Sequence, residues 1–257
     1  MTRILTALLL IPTFCYVVLW APQWAFLAVV AVVAVLCFHE YADIAARHHI
    51  PKPGVFGYVA GLLVLLLPEK DPTFFVLIAI LGMALSLRVR ELPESLGSAA
   101  VLVLGVAYVF GSLRCGIELR AISPYWLFFG LSLNWAGDIA ALYVGRLSGR
   151  HKLAPRISPG KSWEGAAGSL VASVAYGALY IPRLLPGVPL AEGLGLAAVA
   201  NIAGQFGDLC ESAIKRGAGV KDSGTILPGH GGMLDRLDSV IFAAPIFFHL
   251  TRYFWAV

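Results

Sequence analysis

Apolar residues in this chain run on in long, nearly uncharged stretches, and that pattern restricts the fold more than any other feature. A helix needs about 20 residues to cross the hydrocarbon core of a bilayer. Continuous apolarity, as opposed to an amphipathic stripe, describes helices that face lipid and one another. Nine stretches qualify as spans: 4–20, 23–42, 55–68, 73–88, 97–113, 124–145, 164–182, 190–210 and 238–257. The stretch 55–68 is short, so it either extends beyond these bounds or re-enters. Hydrophobic residues make up 59% of the chain and charged ones 13%, about half the charged share of a soluble domain. The expected fold is all-α: one polytopic integral membrane bundle over 1–257, with motif-poor spans in 1–130 and motif-bearing spans and loops in 131–257.

Met1-Thr2-Arg3 before an apolar run has the look of a signal peptide, but Pro12 interrupts the run and no small-residue cleavage site follows. It reads as a retained first span. Cys15, Cys37, Cys115 and Cys210 are scattered, with neither metal-ligand spacing nor a disulfide framework, and are expected to be small buried apolar residues. Gly and Ala recur in 97–113, 164–182 and 190–210, which suits helices packed closely inside a bundle.

Basic residues set the direction. With nine spans and a cytoplasmic N-terminus, the outer loops hold only Lys70, Arg114, Arg120 and Arg183, Arg252 lies within the last span, and the inner segments hold the other fourteen Lys and Arg. That is a positive-inside distribution.

One segment breaks the apolar pattern. Ser212–Asp238 holds four bases (Lys215, Arg216, Lys221, Arg236), three acids (Asp222, Asp235, Asp238), His230 and six glycines. Charges near a bilayer are costly and tend to be functional. On a helix continuing from the eighth span, Asp208, Glu211, Ser212 and Lys215 share one face. An ordinary ion pair, Asp208 with Lys215, is one reading; the other is a hard divalent cation, since Asp235 and Asp238 form a second pair of carboxylates and Mg²⁺ takes oxygen ligands. Six glycines beside four cations suit an anion-binding loop, and the absence of a GxxxxGK[ST] run excludes a P-loop. His230 either touches a phosphate oxygen or holds the loop. Asn134 and Asp138, four apart within a span, are expected to face the bundle interior or a wet cavity. Glu40 is a weaker candidate for the cavity lining, and His48-His49 reads as part of a solvated loop.

Ser212-x-Ile214-Lys215-Arg216, Lys221-Asp222-x-Gly224, Leu227-Pro228 and His230-Gly231-Gly232-Met233-x-Asp235-Arg236-Leu237-Asp238 together resemble the signature of the phosphatidate cytidylyltransferase (CDP-diacylglycerol synthase) family. Ser158–Gly165 resembles that family's second motif, with Gly160 and Ser162 where Lys and Thr are usual, and Asp138–Arg146 resembles a third. The resemblance covers residues 138 to 238. It implies transfer of a cytidylyl group from CTP to phosphatidate in the bilayer, with Mg²⁺ on Asp208 and Asp235 and with Asp238 and Asp138 as further candidates. Lys215, Arg216, Lys221, Asp222, His230 and Arg236 would form the catalytic group. Ser158, Lys161, Glu164, Ser212, Gly231, Gly232 and Asp138 would bind substrate, Glu164 alternatively capping its helix. It also implies a multi-pass protein of the inner (cytoplasmic) membrane with its active site facing the cytoplasm, and no nucleic-acid partner. A homodimer and a second, monovalent cation stay open. The alternatives are a related CTP-using lipid enzyme (a CDP-archaeol synthase or a polyprenol kinase) and, more distantly, an ion-coupled transporter. The transporter would more often show two similar halves with interrupted helices.

Overall fold

A computed structural model describes residues 12–67, 73–89, 91–226 and 231–255, and helix dominates it. Residues 12–19 are helical. Helices α1 (Gln23–Arg47), α2 (Gly54–Leu66) and α3 (Thr73–Ser86) follow. A short 3₁₀ turn, Leu92–Glu94, leads into α4 (Ser95–Gly105), the π-helical segment Val106–Gly111 and α5 (Ser112–Ile122). Then come α6 (Pro124–Ser148), strands β1 (Lys152–Ala154) and β2 (Ser158–Ser162), α7 (Trp163–Leu184), α8 (Leu190–Gly217), the 3₁₀ turn Leu234–Arg236 and α9 (Asp238–Trp255).

The all-α expectation holds. Among the described residues, four helices are long and apolar enough to cross a membrane: α1, the continuous run Leu92–Ile122, α6 and α7. Helices α2 and α3 are apolar but shorter. The helix begun at 190 does not stop at 210; it continues to Gly217 and carries Asp208, Ser212 and Lys215 on one rod. Residues 4–11, 68 and 256–257 of the expected spans lie outside the described residues.

Helix starts follow local chemistry. Ser123 caps α6 by accepting from the Tyr125 N–H (3.3 Å), with Pro124 at the first helical position, where its missing N–H costs nothing. Ser162 caps α7, accepting from the Gly165 N–H at 3.1 Å. The cap expected of Glu164 therefore belongs to Ser162. The basic loop between these two helices contains an antiparallel hairpin, β1 with β2, pairing Lys152 with Ser162 and Ala154 with Ser158.

The described residues divide into two compact units. The first takes its residues from 22–114 and 214–236. Its aromatic centre is Phe38, with the Phe110 and Tyr58 rings 5.2 and 5.0 Å away. Gly61 makes this possible: a Cβ there would stand 2.2 Å from the Phe110 ring, a distance no packed core tolerates. Arg114 closes the end of α2 by donating to the carbonyls of Leu65 (3.1 Å) and Leu67 (2.8 Å).

The second unit takes its residues from 12–21, 115–213 and 237–255. Stacked Phe129 and Tyr180 (4.8 Å) join α6 to α7. Beside them runs a buried polar ladder. Asn201 donates to the hydroxyls of Ser169 and Ser173, both at 2.9 Å, and Ser173 donates to the Leu133 carbonyl at 3.1 Å. Each of these buried polar groups has a partner, as a low-dielectric interior demands.

Candidate active site

The second unit holds a cleft of ≈ 400 Å³. Helix α6 supplies Asp138 and Gly145, the hairpin supplies Ser158, Gly160, Lys161 and Ser162, and α7 supplies Gly165, Ala166 and Ser169. Gln205 and Asp208 enter from α8, and Ser239 from α9. Asp138, Gln205 and Asp208 lie within their helices and not at the ends, so the cleft cuts into the bundle. Asp138, which the sequence assigns to the bundle interior or a wet cavity, is exposed into the cleft, while Asn134 is buried and donates to the Gly130 carbonyl at 2.8 Å.

Asp208 forms an ion pair with Lys161, their side chains 31% and 27% exposed. A lysine partner of Asp208 is thus Lys161 from the hairpin, while Lys215, the partner weighed from the sequence, pairs with Asp235. Ser212 donates to Asp208 Oδ1 at 3.3 Å. Gln205, at the floor, donates to Asn201 Oδ1 (2.7 Å) and the Ala166 carbonyl (3.2 Å). Glu164 is engaged elsewhere. It holds His151 through the ring Nδ1 (2.6 Å) and through the backbone N–H (3.2 and 3.3 Å to its two oxygens), tying the start of the hairpin to the first turn of α7.

The first unit holds most of the other candidates. Lys215, near the end of α8, donates to Asp235 Oδ1 at 2.5 Å, with side-chain exposures of only 8% and 5%. Asp235 also accepts from the backbone N–H of Ser223 (3.1 and 2.9 Å) and of Gly232 (2.8 Å). Burial alone would raise its pKa; the Lys215 ammonium and the N–H groups of Gly232 and Ser223 outweigh that and hold it below the usual carboxylate range. Gly231 turns the backbone here at φ +80°, and a Cβ there would stand 2.8 Å from Asp235 Oδ2. Only glycine fits both conditions. Arg216 donates to the Val220 carbonyl at 3.0 Å. Arg216, Lys221, Asp222 and Arg236 are exposed. His230, Leu227 and Pro228 lie outside the described residues. Asp238 begins α9 in the second unit and accepts from the Ser239 N–H at 2.6 Å.

Two residues depart from their expected roles. Glu40 is 2% exposed and accepts from Ser223 Oγ (2.7 Å) and from the N–H groups of Met233 and Leu234 (both 2.9 Å). Its signal in the sequence was a carboxylate near the end of an apolar run, which makes a candidate of it without naming its partners. His48 is not simply solvated: its Nε2 bonds the Ile214 carbonyl at 2.9 Å and so closes the end of α8. Gln205, Asn201 and Ser169 carried no sequence signal beyond being polar in an apolar helix.

Among the described residues, no three His, Cys, Asp or Glu side chains stand close enough to enclose a metal ion. Mg²⁺ does not require such a cage, because it commonly takes one or two carboxylates plus water and substrate phosphates. Asp208 fits that pattern: a hard oxygen donor, partly open to a cleft and paired to a lysine that a substrate phosphate could draw away. Asp235 offers the same donor chemistry, but its oxygens are engaged by Lys215, Ser223 and Gly232.

A model described as the cytidylyltransferase family matches residues 1–254 of the chain. The chain is 34% identical over 260 residues to a protein of Brucella suis biovar 1 (strain 1330) named phosphatidate cytidylyltransferase, covering 96% of this chain and 91% of that one. A protein of the same name from Staphylococcus aureus (strain COL) is 35% identical over 224 residues, 84% of this chain and 85% of its own. Another from Haemophilus influenzae is 41% identical over 150 residues, 55% of this chain and 52% of its own.

Proposed function

The chain belongs to the cytidylyltransferase family, and on that premise we propose that it transfers the cytidylyl group of CTP to phosphatidate, leaving CDP-diacylglycerol and pyrophosphate. The observation that carries this reading is that Asp138, Ser158 and Lys161, from two of the motifs, line one cleft with Asp208 from α8, within a family match spanning residues 1–254.

A phosphate oxygen of phosphatidate attacks the α-phosphorus of CTP. The new P–O bond forms as the bond to the bridging oxygen of the β-phosphate breaks, and pyrophosphate leaves with that electron pair. The attacking phosphate is already anionic at neutral pH, so no side chain must remove a proton. What the protein must supply is position and countercharge. Lys161, released from Asp208, meets a substrate phosphate in the cleft, and Ser158 donates to it. Lys215, Arg216, Lys221 and Arg236 supply positive charge for the pyrophosphate, with Asp222 and His230 in the same motif; Ser212, Gly231 and Gly232 shape that segment, and Glu164 keeps the hairpin in place. Mg²⁺ is the proposed cofactor, with Asp208 as ligand, Asp235 as the second ligand implied by its motif, and Asp138 and Asp238 as further candidates. When bound it offsets the repulsion between two anionic substrates.

The distribution of Lys and Arg supports nine spans with a cytoplasmic N-terminus and both motif loops on the side where CTP is available; the inner membrane is what the family resemblance implies.

The test supplies purified protein with CTP, Mg²⁺ and one lipid at a time. Phosphatidate should give pyrophosphate and CDP-diacylglycerol in equal amounts, and diacylglycerol or a polyprenol should give neither. Formation of CDP with a phosphorylated lipid would identify a lipid kinase instead.

A further inference from the structure

We infer that Glu40 is a positioning residue for this reaction, setting from α1 the shape of the loop that holds Asp235 against Lys215. The inference rests on the reading above, since that loop carries the proposed catalytic cations.

Glu40 lies in an apolar helix and is 2% exposed, yet its two oxygens accept from three donors that all belong to one short segment. Those donors, Ser223, Met233 and Leu234, are 183, 193 and 194 residues away in the chain. Ser223 is the link between the two buried carboxylates. Its hydroxyl donates to Glu40 Oε2 (2.7 Å) and accepts from the Asp235 N–H (3.3 Å), while its own N–H donates to Asp235 Oδ2 (2.9 Å). Asp235 in turn receives Lys215. Glu40, Ser223, Asp235 and Lys215 thus form one connected chain of hydrogen bonds ending on a motif cation.

The loop is cut to admit this carboxylate. A Cβ on Gly224 would stand 2.6 Å from Glu40 Oε1, and one on Gly232 would stand 2.3 Å from Glu40 Oε2 and 2.1 Å from Ser223 Oγ. Two of the motif's glycines therefore make room for Glu40. A carboxylate buried in a helix is expensive unless fully hydrogen-bonded, and outer partners of this kind fix the orientation of the groups that touch substrate.

The test uses the full chain, purified in detergent, as wild type, Glu40→Gln, Glu40→Ala, Ser223→Ala and the double variant Glu40→Gln/Ser223→Ala. Steady-state kinetics per folded molecule are combined with amide hydrogen exchange. Glu40→Ala should lower kcat by about 10–100-fold, with Glu40→Gln, which keeps one acceptor oxygen, losing less. Exchange at Ser223, Gly232, Met233 and Leu234 should accelerate, while amides of α6 stay as in wild type. The double variant should lose less than the product of the single losses, because both residues act through one chain. Unchanged kcat per folded molecule, unchanged exchange in the loop, or strictly multiplicative losses would each overturn the inference. If Glu40→Ala does not fold, Glu40→Gln and Ser223→Ala carry the same decision. If wild type forms no CDP-diacylglycerol, the proposed reaction fails, while the exchange measurement still decides whether Glu40 shapes the loop.

Discussion

Two lysine–aspartate pairs with the same chemistry sit in opposite settings. Lys215–Asp235 is closed: both side chains are nearly inaccessible, and the carboxylate is wrapped by backbone N–H groups. Lys161–Asp208 is open: each side chain is roughly a quarter to a third exposed, at the wall of a cleft. A buried pair is costly to break, because removing one partner strands the other charge. An exposed pair contributes little to stability and separates easily. Without substrate the first pair fixes a motif loop, whereas the second already stands where a ligand can replace its partner.

Substitutions should separate the two. Asp235→Asn is expected to have the largest effect, since it strands the Lys215 ammonium: about 3–5 kcal/mol of stability lost together with turnover, seen as a lower Tm and no CDP-diacylglycerol. Asp208→Asn should abolish turnover as well but cost only about 0–1 kcal/mol, leaving Tm near wild type. If both variants lost stability equally, the contrast between closed and open pairs would be wrong. Next in size is a pair of glycines. Gly232→Ala forces a methyl into Glu40 and Ser223 and should lower both Tm and activity, whereas Gly160→Ala meets nothing within 4 Å and should leave Tm unchanged.

The smallest effect concerns pH. The Asp235 carboxyl is held below its usual range, so its contribution is fully present above the ordinary value of about 3.9. It fades as the pH falls through the lower, folded-state value. The Tm difference between wild type and Asp235→Asn should therefore be constant from neutral pH down to about 5 and shrink below about 4. A difference that shrank already near pH 6 would mean that Asp235 is not held in this way.

How legible all this was depended on range in sequence. Unbroken apolar stretches led directly to α1, α6 and α7, because lipid-facing helices need nothing but their own residues. The Ser212–Asp238 segment stood out because six glycines and four cations are anomalous in such a chain. The small hairpin of 152–162 did not stand out: its strands, Lys152–Ala154 and Ser158–Ser162, are too short to show an alternating pattern. Asp208 and Lys161 were each singled out, but their pairing was not, because nothing in the 46 intervening residues fixes which cation reaches which acid. Glu40 was the hardest case. Its partners lie near the far end of the chain, and local sequence shows only that a carboxylate is present.

The central claim is the reaction itself, and labelled CTP tests it most directly. Purified protein in detergent is given phosphatidate and Mg²⁺ with either α-labelled or γ-labelled CTP, and the lipid phase is counted. The account predicts label in lipid from the α position only, in CDP-diacylglycerol, with pyrophosphate released in equal amount. Label entering lipid from the γ position, or from neither, would contradict it.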